Sequence, residues 1–174
     1  PNKFLLDPYA TAISDRVKSH RSMCNPTAEL DEQDSAAHIP KCVLTSNKFS
    51  WGKDIAPDIP WTRTVIYETH VAGFTKQFPG LPAKLRGTYA GLAHDKVVRY
   101  LKDLAITTLQ LMPVHHHIDD GFLLDRGLTN FWGYQTVGFF APESRYASTN
   151  AAKGEHVSEF KNMVKKLHKA GLEV

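Results

Sequence analysis

Hydrophobic and polar positions change their pattern near Thr64 of this 174-residue chain. Before it, periodicity is poor. Pro8, Pro26, Pro40, Pro57 and Pro60 interrupt regular structure, because proline fixes φ and lacks an amide donor. Lys41-Cys42-Val43-Leu44 alone reads as a short isolated strand. Residues 1–63 are therefore expected to form an irregular linker, or an extended layer packed on a neighbouring domain.

From Thr64 to Val71 the chain is rich in β-branched and aromatic residues, which predicts a strand. A long loop follows, carrying Gly73, Pro79, Gly80, Pro82, Gly87 and Gly91. From His94 to Ala105, Val97, Val98, Leu101, Leu104 and Ala105 fall on one face of a 3.6-residue period and predict a helix. Thr107 to Pro113 reads as a second buried strand, ended by proline. A second long loop is expected from Val114 to about Asn150. Glu155 to Ala170 is the clearest helix, with an apolar stripe of Val157, Phe160, Met163, Val164 and Leu167. Gly171 stands where a helix-ending glycine belongs, and Leu172-Glu173-Val174 begins a third strand.

Strand, helix, strand, helix and strand start predict parallel βαβ units. A doubly wound nucleotide-binding sheet would carry GxGxxG or a P-loop after a strand, and neither is present. A (β/α)8 barrel carries its active site on loops after the strands, which suits the two long loops here. The expected fold class is α/β: a partial (β/α)8 TIM barrel, residues 64–174, comprising the first two βα units and the start of strand 3. That is roughly the first quarter to third of a complete barrel.

Composition narrows the function classes. The chain is 42% hydrophobic and 22% charged, as in a soluble globular protein. No apolar run approaches the length of a membrane helix. The net charge of +3 is scattered. Its densest group, Lys165, Lys166 and Lys169, lies on the wet side of a helix, which argues against nucleic acid as a partner. Cys24 and Cys42 form no CxxC pair, so neither a disulfide framework nor a zinc site is expected. Pro1 to Tyr9 lacks a secretory pattern, and a reduced cytoplasmic protein is the expectation. A start on Pro1 rather than Met suggests a portion of something longer.

Several segments together resemble one family. Leu5-Leu6-Asp7-Pro8-Tyr9-Ala10 is similar to the stretch that joins a carbohydrate-binding β-sandwich to the barrel in isoamylase-type glycogen debranching enzymes, a branch of the α-amylase superfamily. Ile66 to Thr75 resembles their first barrel strand, and Arg86-Gly87-Thr88-Tyr89-Ala90-Gly91-Leu92 the loop before their first helix. Tyr100 to Leu104, Leu109 to Val114 and Leu167 to Val174 match the elements that follow. Asn130-Phe131-Trp132-Gly133-Tyr134 is similar to an Asn-Tyr-Trp-Gly-Tyr motif after the second strand. Gln110 and Phe131 depart from the family's usual Glu and Tyr, and Gln110 leaves any charged role at its site in doubt.

The resemblance implies a glycoside hydrolase acting on α-1,6 branch points of glycogen or limit dextrin, with no cofactor. It implies an Asp nucleophile, a Glu acid/base and a stabilising Asp on the fourth, fifth and seventh strands. No catalytic residue is therefore expected in this chain, which alone is expected to be inactive. The substrate-binding residues implied are Tyr134, which lines the subsite of the sugar being cleaved, and Trp132, which either shapes the pocket or packs the loop. Sister α-glucan enzymes, such as a trehalohydrolase or branching enzyme, and a non-catalytic glucan-binding module are the alternatives.

The remaining polar residues carry weaker expectations. Asp119, Asp120, Asp125 and Glu143 read as solvated loop acids. His115, His116 and His117 read as a polar loop, because side chains of an extended run alternate and do not converge on a metal. His70 is left unassigned. A barrel arc with an open strand edge is expected to self-associate.

Overall fold

The computed structural model describes residues 3–23, 31–46 and 48–174. Pro1, Cys24 and Pro26 lie outside the described residues. Among those described before Thr64, the chain is extended, with 3₁₀ turns at Arg21–Met23 and Trp61–Arg63. The strand expected at Lys41–Leu44 is reduced to one antiparallel bridge between Ile13 and Cys42. Ser14 N–H donates to Lys41 O and Val43 N–H to Ala12 O, both at 2.9 Å. Ile13 is fully buried and packs with Ala10 and Ala141, which fastens this layer onto the rest of the chain.

Beyond it run β1 (Ile66–Thr69), α1 (Val71–Thr75), α2 (Tyr89–Leu92), α3 (Asp95–Asp103), β2 (Thr108–Leu111), β3 (His115–His117), α4 (Gly121–Leu124), β4 (Thr136–Pro142) and α5 (Glu155–Lys169). β1 and β2 are parallel, in register from Ile66 opposite Thr108 to Thr69 opposite Leu111. Glu173 adds a third parallel partner on the other side of β2. Its carbonyl accepts from Leu109 N–H at 2.8 Å, and its own N–H donates to Thr107 O at 2.9 Å. The expected strand–helix–strand–helix–strand order is therefore present, and the fold is α/β.

Alternation within the strands separates two faces. Tyr67 and Leu109 point into a core shared with Tyr89, Leu101, Met163 and Leu167. Ile66, Glu68 and Gln110 occupy the opposite face and are exposed. α3 and α5 both end on a residue in the left-handed region, Ala105 (φ 59°) and Gly171 (φ 77°). In each, two backbone bonds close the last turn: Ile106 N–H to Leu101 O and Ala105 N–H to Lys102 O, and likewise Leu172 to Leu167 and Gly171 to His168.

Two expectations are corrected. The strand expected from Thr64 to Val71 spans only Ile66–Thr69, and it ends there because the His70 side chain accepts from Gly73 N–H and starts α1. The segment from Val114 to Asn150 is not an irregular loop. Its β3 and β4 form an antiparallel hairpin whose register shifts on both sides of His116. Gly138 on β4 has no room for a side chain, since a Cβ there would come within 2.8 Å of Ile13 Cδ1. That is where the N-terminal layer seats on the hairpin.

Candidate functional site

The turn between α4 and β4 presents Trp132 and Tyr134 to solvent, 60% and 69% exposed. Both rings line an open cleft of about 810 Å³ together with Glu68, Met112, Asp120 and Phe122. Glu68 and Met112 place this cleft at the C-terminal ends of the parallel strands β1 and β2. A recess of about 780 Å³ lined by Phe74, Phe78 and Tyr100 lies instead on the outer surface between α1 and α3.

Exposed rings gain little from burial, so what fixes them is the backbone beneath. Asn130 N–H donates to Asp119 Oδ1 at 2.8 Å, and Asn130 Nδ2 to Ile118 O at 3.1 Å. Asn130 Oδ1 in turn accepts from Gly133 N–H at 3.0 Å, closing a tight turn. The Phe131 carbonyl meets His70 Nε2 at 2.7 Å. Gly133 rests on the His117 ring and adopts φ 81°. Trp132 packs edge-on against Phe131 at 6.0 Å, so it both rims the cleft and steadies the turn.

The hairpin converts residues read as solvated into a buried polar cluster. Glu143 is fully buried and Asp119 is 8% exposed, which corrects the expectation of solvated acids. Arg145 joins them, with Nε to Glu143 Oε1 at 3.0 Å and Nη1 to Asp119 Oδ1 at 2.9 Å. Tyr89 Oη donates to the Glu143 carbonyl at 2.9 Å. Asp120 is half-buried at the cleft, and only Asp125 is exposed as expected.

The histidine run is likewise not a polar loop. His116 and His117 are both buried and both face Glu143 Oε2, Nδ1 lying at 3.6 Å and 3.2 Å. The register shifts in β3 cancel the side-chain alternation that would have sent one of them outward. His115 stays exposed. Among the described residues no group of three or more His, Cys, Asp or Glu is placed to hold a metal ion.

Electrostatics follow from this burial. Burial holds the His116 imidazole below its ordinary range, with Glu143 pulling the other way. Burial and the charge of Glu143 push the Tyr146 phenol up to about 12. Burial alone would raise Glu143, but His116 and Arg145 beside it outweigh that and hold it below the usual carboxylate range. Glu143 is therefore held ionised, and the Arg145 guanidinium clamps it together with Asp119. The chemistry of this cluster is structural: it holds the turn, while the exposed aromatic rings and the polar groups of the cleft face any ligand.

Sequence reasoning reached Trp132 and Tyr134 but missed their supports: His70, Asp119, Asn130, His117 and Glu143. One signal was available. Asn130 with Gly133 three residues on is the composition of a tight turn whose first residue caps its own backbone.

The fold is similar to part of several solved structures. It resembles the catalytic module of the glycogen-degrading pneumococcal virulence factor SpuA, with TM-score 0.66 and 23% identity, over 98% of this chain and 24% of that one. It also resembles the Anoxybacillus pullulanase complexed with maltotetraose, with TM-score 0.62 and 23% identity, over 98% and 23%. At these identities the likeness establishes the fold alone.

Sequence goes further. The chain is 45% identical over its whole length to the glycogen debranching enzyme of Yersinia enterocolitica, covering 26% of it. It is 44% identical to a glycogen operon protein GlgX homolog of Mycobacterium tuberculosis, covering 25%. The resemblance to isoamylase-type glycogen debranching enzymes is thus borne out along the entire chain, and its homologues are glycoside hydrolases. The chain spans about a quarter of the length of these curated relatives. No protein-family model matches it. Among the described residues no helix is long and apolar enough to cross a membrane.

Proposed function

We propose that the chain forms the opening arc of the (β/α)8 barrel of a cytoplasmic bacterial debranching enzyme. The enzyme hydrolyses α-1,6-glucosidic branch linkages in glycogen or limit dextrin. The reaction needs a pair of carboxyl groups flanking the bond and proceeds with retention. No catalytic carboxylate is assigned within these residues, whose part is to bind substrate. Residues 1–63 act as the linker between a carbohydrate-binding domain and the barrel.

The observation that carries this reading is the Tyr134 ring, exposed over a cleft at the C-terminal ends of parallel strands, where barrel enzymes keep their sites. A glucose ring has an apolar face that stacks on an aromatic side chain, and Tyr134 and Trp132 offer two. The polar groups of Glu68, Asp120 and Gln135 share the cleft and can hydrogen-bond sugar hydroxyls. The open strand face of Ile66, Glu68 and Gln110 is the surface through which an isolated arc would self-associate.

The test is Tyr134→Ala in the full-length protein, assayed on branched limit dextrin. Truncating an aromatic anchor at a binding site costs about 2 kcal/mol, so kcat/KM should fall roughly 30-fold. The thermal midpoint should hold, because the ring is exposed. Unchanged kcat/KM would remove Tyr134 from the substrate site.

A further inference from the structure

His70 ends β1 and is 7% exposed, yet it belongs to no part of the cleft surface. Its ring is held on every side. Nδ1 accepts from Gly73 N–H at 3.0 Å. A backbone amide only donates, so Nδ1 carries a lone pair and the ring proton sits on Nε2. Nε2–H therefore donates to the Phe131 carbonyl, 2.7 Å away. The tautomer is set by the start of α1 and read out at the turn that carries Tyr134.

The ring planes repeat the connection. His70 stacks on Phe131 with centroids 4.1 Å apart and planes 9° from parallel. On its other side the Tyr146 ring packs edge-on at 5.2 Å, with its hydroxyl 3.0 Å from Nε2. Tyr146 is buried against Tyr89, so His70 is anchored to the core while Phe131 is half exposed. Gly73 completes the seat: a Cβ there would come within 3.0 Å of Phe131 Cζ.

We infer that His70 is a positioning residue for glucan binding, setting through Phe131 the height and tilt at which Trp132 and Tyr134 stand over the cleft. The inference rests on the reading of Tyr134 as a substrate platform. His70 touches no substrate. It fixes the carbonyl and ring of the residue preceding Trp132, and Asn130 and Gly133 fix the two flanking positions. A platform pinned at three points within four residues does not have to be ordered by the ligand, and ordering costs affinity.

The two jobs of His70 can be separated. In His70→Asn the shorter side chain can still cap α1 but lacks the ring and the reach to Phe131. In Gly73→Ala the cap is untouched, and alanine favours the helix, but the new methyl pushes on the Phe131 ring. The full-length protein would be titrated with maltoheptaose by calorimetry, with thermal midpoints taken in parallel and Tyr134→Ala and His70→Asn/Tyr134→Ala included. Both single variants should raise Kd about tenfold, with Gly73→Ala melting at or above the parent. The double variant should bind no more weakly than Tyr134→Ala, because the ring to be positioned is gone.

Parental affinity in His70→Asn and Gly73→Ala overturns the inference, as does a His70 effect that adds in full to that of Tyr134→Ala. Should His70→Asn not fold, Gly73→Ala decides alone. Parental affinity in Tyr134→Ala would instead sink the platform reading, whatever His70 does.

Discussion

The His117 ring lies directly under Gly133: a Cβ at Gly133 would meet Cε1 and Nδ1 of that ring at 3.2 Å and Pro113 Cβ at 3.3 Å. Gly133 also sits at φ 81°. Gly133→Ala therefore meets two obstacles. The left-handed backbone alone costs an L-residue about 1–2 kcal/mol, and the His117 ring, buried against Glu143, has no free space to yield. Urea denaturation should show a loss of at least that size. Maltoheptaose affinity should fall as well, since Tyr134 is the next residue.

Ala105 and Gly171 hold the same place at the ends of α3 and α5, with the same pair of closing hydrogen bonds. Glycine suits φ near +60°, whereas alanine is strained there. Ala105→Gly relieves about 1–2 kcal/mol of strain against a loss of about 0.4–1 kcal/mol through the freer unfolded chain. The net gain in an unfolding titration should be about 0.5–1 kcal/mol. Gly171→Ala should destabilise by a similar amount. A matched loss in both variants would show that the alanine is not strained.

The same two helix ends show which parts of the fold were legible. Gly171 marked the end of α5 in the sequence, and the apolar stripes marked α3 and α5, because these signals are local and periodic. Element ends shifted where a side chain intervened, as when His70 turns β1 into α1. The β3–β4 hairpin was not legible. Three histidines give no apolar alternation, and the register shifts around His116 erase what period remains. Glu143 and Asp119 read as solvated because their burial depends on Arg145 reaching an acid 26 residues away across that hairpin. Tyr134 is a candidate through resemblance alone, whereas the residues that hold its turn act through contacts that neither spacing nor motif records.

Glu159 on α5 is 7% exposed and gathers five donors. Ala90 N–H lies at 3.1 Å, Ser148 N–H at 2.9 Å, Ser148 Oγ at 3.0 Å, Thr149 N–H at 3.0 Å and Thr149 Oγ1 at 2.7 Å. It thereby fastens the segment after the hairpin to α2. Ser148 and Thr149 are exposed enough for water to replace part of what is lost. Glu159→Ala should then cost about 2–3 kcal/mol. Glu159→Gln should cost less, since its amide oxygen still accepts while its NH₂ faces donors. Equal losses would mean that packing, not hydrogen bonding, sets the value of this side chain.

Acid should weaken the chain in a defined order. Burial holds His70, His116 and His156 below the ordinary value of 6.5. For His156, Glu143 and Glu159 pull the other way without reversing the shift. Above pH 6.5 these imidazoles are largely neutral in both folded and unfolded states, so their contribution is complete. Below it the unfolded chain takes up protons that the folded chain refuses, and stability falls until the folded groups titrate. Glu143, held below its ordinary 4.5, adds a second loss in the same direction at lower pH. Denaturant midpoints should be flat from about pH 8 to 7 and decline from about pH 6.5 downward. His156→Leu tests the cause, because both ring nitrogens of His156 are buried without a hydrogen-bond partner. Removing them should flatten the decline and leave the variant more stable than the parent at about pH 5.5. A parental midpoint that does not move between pH 7 and about 5 would mean that these imidazoles protonate freely in the folded chain.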